Sequence, residues 1–200
     1  PASWHSRSIS VPKETIVELN YTIVSFGTEM LRLCQEAGLV SNRDEMRNLN
    51  PDLQEEMQWR SAKRIAERPE NILLDTHCAI KVASGSYLPG FTPRMLERMS
   101  PHAIILVDAH EAEIRGRRKL DQSRPFRTIE DYEDILEHKV INRAYAAAFS
   151  ARSGSLLCII QNNTGEFERA VRQFIETLQF IGVERPPAPA PSTHPSPPSA

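Results

Sequence analysis

The chain has 200 residues, a formal net charge of −2, 40% hydrophobic residues and 25% charged residues. That length fits one domain with room for a small inserted lobe, and the near-neutral balance supplies no long-range field for nucleic acid or an acidic membrane. No apolar run approaches membrane-spanning length, so neither kind of partner is expected.

The chain opens "PASWHSRSIS", which lacks the apolar stretch of a signal peptide. "YTIVSF", from Tyr21, reads as a strand, and "TEMLRLCQEAG" as a helix closed by Gly38. "NPDLQEEMQWRSAKRIAER" reads as a helix with Asn50 as N-cap and Pro51 in the first helical position. "NILLD", from Asn71, is predicted to be a short buried strand. "TPRMLERM" is a helix capped by Thr92, and "HAIILVDA" a second buried strand. Residues 128–152 read as a long helix that stops before Gly154. "SLLCIIQN" is a strand, and "EFERAVRQFIETLQFI" an amphipathic last helix. Residues 186–200, "PPAPAPSTHPSPPSA", cannot build a core and are expected to form an extended, disordered tail.

Apolar strands alternating with helices predict a parallel sheet covered on both faces. In such sheets ligands sit beyond the carboxyl ends of the strands. Those ends read "SFGT", "LLDTH", "VDAHE" and "IIQNN", all polar at the same place. Cys34, Cys78 and Cys158 are far apart and form no C-x-x-C pair, which fits a reducing, cytoplasmic setting without zinc or disulfides.

Several short stretches carry possible chemistry. Gly27 and Thr28 end a strand and begin a helix, an anion-binding geometry or an ordinary turn. Arg43 and Arg47 are four apart and would share one helix face, either gripping a phosphate or standing in solvent. Asp75 directly follows an apolar strand. A carboxylate there is costly unless something positive or hydrogen-bonding meets it; it either orders Mg²⁺ beside nucleotide phosphates or caps the next segment. "SGSYLPGFTP" is a glycine- and proline-rich turn able to lie against a planar base. Arg115, Arg117, Arg118, Arg124 and Arg127 crowd a segment without strong periodicity, read as a loop able to close over a polyphosphate. Arg143 sits among alanines in a helix, facing either a cleft or water.

Taken in order, "NYTIVSFGTEM", "LVSNRDEMRNLNPDLQ", "ILLDTHCAIKV", "GSYLPGF", "HKVINRA" and "IIQNN" resemble the archaeal-type adenylate kinases, a branch of the P-loop nucleoside monophosphate kinases. The resemblance runs from about Asn20 to Gly182. It implies an α/β fold of three layers, a parallel sheet flanked by helices, in a domain over 21–182 with a lid at about 111–128 and a non-matching segment at 1–20. It implies transfer from MgATP to AMP giving two ADP. It implies AMP contacts at Gly27, Thr28, Arg47, Tyr87 and Gly90, and Asp75 organising Mg²⁺ with no direct protein cage. Arg118, Arg124 and Arg143 are the implied catalytic residues, with Arg117 and Arg127 also in the lid. A homo-oligomer, a trimer in some relatives, is part of the same implication.

The family's opening strand and glycine-rich phosphate loop have no counterpart here. No glycine precedes Gly27, and Lys13 is the only lysine upstream of it. "KETIVELN" reads as the tail of the helix that would come after such a loop. The expected consequences are a sheet without its central strand and ATP phosphates without their cradle. A truncated or frame-shifted kinase is the expectation, with a degenerate AMP-binding relative, or a replacement strand from Ile9-Ser10-Val11 or a partner, as alternatives.

Overall fold

The computed structural model describes Ile16 and residues 18–43, 45–81, 85–120 and 132–183. Strand β1 (Tyr21–Ser25) pairs in parallel with β2 (Asn71–Asp75), with Ser25 opposite Asp75. After β2 comes a small antiparallel hairpin of β3 (Ala79–Lys81) and β4 (Tyr87–Pro89). Strand β5 (Ala103–Asp108) pairs in parallel with β6 (Leu156–Gln161), with Asp108 opposite Gln161. The helices are α1 (Phe26–Glu36), α2 (Pro51–Ala66), α3 (Pro93–Met99), α4 (Glu111–Leu120), α5 (Tyr132–Ser153) and α6 (Phe167–Val183).

Local signals set most of these boundaries. The Asn50 side chain accepts from the Leu53 amide at 2.8 Å, and Pro51 opens α2 where a missing N–H costs nothing. Thr92 caps α3 by accepting from the Met95 amide at 3.3 Å. Helix α5 gives way to Gly154 at φ +69°, a left-handed conformation open to glycine at little cost.

The apolar positions divide by face. Leu73, Ile105, Cys158 and Ile160 pack against Ala170, Phe174 and Leu178 of α6 and against Ile16. Val24, Ile72 and Leu74 point the other way, onto Ala62 and Ile65 of α2 and Met95 of α3. Leu73 and Ile105 come from different strand pairs yet share one core. The result is three layers, with parallel strands between helices.

The strands are less buried than the sequence predicts. Ile72, Leu73 and Leu74 are half-buried, as are Ile104 to Val107, and Ile23 is 48% exposed. Among the described residues the two parallel pairs remain separate sheets, with no strand between β2 and β5. An apolar strand loses solvent from its edges as well as its faces, so a pair without inner neighbours stays half open. Two other expectations change. "SGSYLPGFTP" contains a strand rather than being only a turn, and the arginine-rich segment is helical up to Leu120. Glu111 and Glu113 in the first turn of α4 favour that helix through its dipole.

Gly90 admits no side chain, because an added Cβ would lie 1.7 Å from the His77 carbonyl oxygen. Gly116, inside α4, faces open space. Gly90→Ala should therefore destabilise by about 1–3 kcal/mol, whereas Gly116→Ala should stabilise by about 0.5–1 kcal/mol. Urea unfolding followed by circular dichroism measures both signs.

Candidate functional site

One stretch of α5 reaches both strand pairs. Asn142 accepts from the Ala79 amide at 3.1 Å, four residues beyond Asp75, and the next residue, Arg143, grips Asp108 at the end of β5. The carboxyl ends of β2 and β5 thus meet the same helical turn. At the far side Phe26 and Phe91 meet edge to face, ring centroids 6.1 Å apart, and Phe91 meets Phe149 of α5 at 5.7 Å. Gly27 and Gly90 each adjoin one of these rings in sequence. The Gly90 amide also donates to the Cys78 carbonyl at 2.7 Å, fixing the hairpin's exit.

Arg43 completes the Gly27 corner. Its guanidinium donates to Thr28 Oγ1 at 3.1 Å, and an added Cβ on Gly27 would sit 3.3 Å from its terminal nitrogen. A reciprocal cap holds that loop: the Glu45 amide donates to the Asn42 side chain at 3.2 Å, while Asn42 and the Ser41 amide donate to the Glu45 carboxylate at 2.7 and 2.6 Å. A 3₁₀ turn over Glu45–Asn48 comes next. Arg43 precedes that turn, so the shared α-helical face expected for Arg43 and Arg47 is not formed; the backbone is spent on the cap instead.

The buried carboxylate is Asp108, not Asp75. Asp75 is exposed, and its side chain makes no hydrogen bond or ion pair among the described residues. Asp108 is 7% exposed and accepts from Arg143 Nε at 2.9 Å and Nη2 at 2.5 Å, both on Oδ2. Its Oδ1 accepts from the Ala109 amide at 2.8 Å and lies 3.4 Å from Lys139 Nζ. Lys139 also donates to the Ala109 carbonyl at 2.6 Å and to Glu111. Two acids and two bases balance, which makes burial tolerable; breaking one partner of such a pair costs about 3–5 kcal/mol. A cleft of about 560 Å³ opens beside them, with His110, Lys139, Arg143, Asn163 and Arg169 among its walls.

The other predicted residues are spread around this centre. Arg117 donates to the Asn162 carbonyl at 2.7 Å and lies 3.7 Å from Glu113, tying α4 to the end of β6. Tyr87 stacks at 46° against His138, centroids 5.4 Å apart, with Lys81 over its ring at 5.9 Å; it faces α5. Arg124 and Arg127, and the side chains of Arg47 and Arg118, lie outside the described residues. The sequence alone does not point to Asp108, Lys139 or Glu111 as site residues, and it points to Arg43 only as one of a phosphate-gripping or solvated pair. The i, i+4 spacing of Lys139 and Arg143 on one helix was the available signal.

Thiol chemistry is disfavoured at this site. Burial pushes the Cys78 thiol up to about 11, leaving little thiolate at neutral pH. Among the described residues no group of three or more His, Cys, Asp or Glu could cage a metal. No described helix is long and apolar enough to cross a membrane.

A family model described as an AAA domain matches residues 10–136. With parallel strands flanked by helices, this defines a P-loop kinase domain. The chain is 40% identical over 176 residues to adenylate kinase of Methanopyrus kandleri, spanning 86% of this chain and 92% of that protein. It is 39% identical over 176 residues to adenylate kinase of Methanothermobacter thermautotrophicus, with 87% and 94% covered. With the Methanocaldococcus jannaschii adenylate kinase it shares 40% identity over 179 residues, covering 86% and 92%. The chain belongs to the adenylate kinase family.

Glu111 is held at about 2, well below its ordinary 4.5, first by the hydrogen bond from Lys139 and then by a backbone amide. A depressed carboxylate stabilises the fold fully above its ordinary value and loses that effect as pH falls toward the depressed one. The melting temperature of wild type should exceed that of Glu111→Gln above pH 5, and the gap should narrow as pH falls from about 4.5 toward 2. Thermal melts across that range read the difference directly.

Proposed function

We propose that the chain performs adenylate kinase chemistry, passing the γ-phosphoryl group of MgATP to AMP to give two ADP. The observation that supports it most is Arg143, anchored on Asp108 at a strand's carboxyl end and bordering the cleft. Phosphoryl transfer needs positioning and charge stabilisation more than a nucleophile, so a fixed guanidinium at the strand ends suits it.

In this reading Gly27, Thr28, Arg47, Tyr87 and Gly90 form the AMP side, and Arg43 joins them beside Thr28. Arg117, Arg118, Arg124 and Arg127 belong to a lid over the phosphates. Arg118, Arg124 and Arg143 offset charge as it shifts between oxygens. Asp75 fits Mg²⁺: it is an exposed, hard oxygen donor without a partner among the described residues. Mg²⁺ arriving with ATP would neutralise phosphate charge. A cytoplasmic location accords with three free thiols, and a homotrimer rests on the family resemblance alone.

Residues 1–26 contain no glycine, so these 200 residues by themselves would grip the β- and γ-phosphates of ATP weakly. A second reading, AMP binding without transfer, draws on that fact and on the separate sheets of β2 and β5.

An acceptor panel tests the first reading. AMP should exceed CMP, UMP and dTMP as acceptor, and a better rate with another monophosphate would displace it. Arg43→Ala should weaken AMP binding by about tenfold or more by calorimetry, the size of a charged hydrogen bond. Arg124→Ala should lower turnover far more than AMP affinity, because lid contacts strengthen in the transition state. Unchanged turnover would return that arginine to solvent.

A further inference from the structure

We infer that Asp108 and Lys139 are positioning residues for Arg143, fixing its guanidinium at the edge of the cleft and setting the charge that a phosphate meets there; the inference rests on the kinase reading. Asp108 is shielded from a ligand, and Lys139, although among the cleft's walls, has its ammonium engaged by acceptors of the protein itself. Asp108 has a 6% exposed side chain, and Lys139 16%, whereas Arg143 is 45% exposed.

The geometry restrains Arg143 at one edge only. Its Nε and Nη2 both bond to Asp108 Oδ2. Its Nη1 meets no acceptor among the described residues. A guanidinium held along one edge keeps its other edge free for a second anion, the bidentate use for which arginine is suited. The Asp108 carboxylate cannot swing to accompany it, because Oδ1 is engaged by the Ala109 amide and faces Lys139. Lys139 in turn faces three acceptors: the Ala109 carbonyl, Glu111 and Asp108. It joins the end of β5, the first turn of α4 and the middle of α5 in one contact set.

Charge acts alongside geometry. Asp108 and Glu111 carry two negative charges, Lys139 and Arg143 two positive ones. Without Lys139, one guanidinium would face two carboxylates, and an approaching phosphate would meet net negative charge. With its ammonium engaged by three protein acceptors, Lys139 acts on a ligand through the field and through Arg143.

The test uses the full chain and four proteins: wild type, Asp108→Asn, Asp108→Glu and Lys139→Met. Each is assayed for ADP formation and titrated with inorganic tripolyphosphate while the Arg143 Nε–H resonance is tracked by ¹⁵N NMR. Thermal melts establish that each variant folds. Asp108→Asn should lower kcat by about a hundredfold, the scale of a misplaced catalytic group, with the KM for AMP within about threefold of wild type. Asp108→Glu should recover a large part of the lost turnover, which a merely structural loss would not predict. Lys139→Met should lower kcat and raise the tripolyphosphate Kd, each by about tenfold, a modest loss of local charge compensation. If Asp108→Asn does not fold, Lys139→Met decides by the same readings. Wild-type turnover in Asp108→Asn, or in Lys139→Met where it decides, would overturn the inference. Should wild type make no ADP, the kinase reading fails on its own. The tripolyphosphate titration then decides: a tenfold weaker Kd in Lys139→Met upholds the positioning role, and a Kd within twofold of wild type overturns it.

Discussion

Helix α5 is the strut on which the site is built. Ile135, Ala146 and Phe149 on it are buried in the core. Between them stand His138, Lys139, Asn142 and Arg143, spaced at three and four residues and so neighbours on the helix surface. Asn142 holds β3 by its backbone, and Lys139 and Arg143 hold Asp108. One rigid helix thereby fixes the distance between the ends of the two strand pairs, which no described strand does.

The buried charge at Asp108 depends on that arrangement. A lone carboxylate would be expelled or protonated at such burial. Two cations delivered from adjacent turns of α5 give it partners inside the fold. Glu111 then serves a double purpose, as first-turn acid of α4 and as counter-charge to Lys139. The root of the arginine-bearing helix and the anchored arginine on α5 are tied by a single ammonium group. Arg43 does comparable work at the Gly27 corner, held by a cap within its own loop rather than by a distant helix.

Much of the fold was legible because its signals are local. Asn50-Pro51, Thr92-Pro93 and Gly154 are read from neighbours within one turn, and the four parallel strands from their apolar runs. The hairpin was not legible: three-residue strands ending at Pro89 carry too little pattern, and what holds them is Asn142, 63 residues from Ala79. Helix α4 was hidden by its arginines, since its acids come early and its docking contact is to the backbone of Asn162. The site was half legible. An aspartate after an apolar strand drew attention to Asp75, while the same pattern at Asp108 passed as strand end; only tertiary contact separates an exposed carboxylate from a buried, paired one. Among the described residues β2 and β5 stay in separate sheets and Leu73 and Ile105 are half-buried; the candidate replacement strand Ile9-Ser10-Val11 lies outside the described residues.

Transfer of a phosphoryl group from ATP to AMP by these residues, as proposed, leaves a direct spectroscopic signature. Phosphorus NMR of the purified 200-residue chain with MgATP and AMP observes every nucleotide at once. Transfer predicts that both starting nucleotides decline together and ADP resonances grow, with a KM for MgATP far above that for AMP. Unchanged spectra after prolonged incubation at high protein concentration, with AMP bound, would contradict it and leave a protein that holds the acceptor without transferring to it.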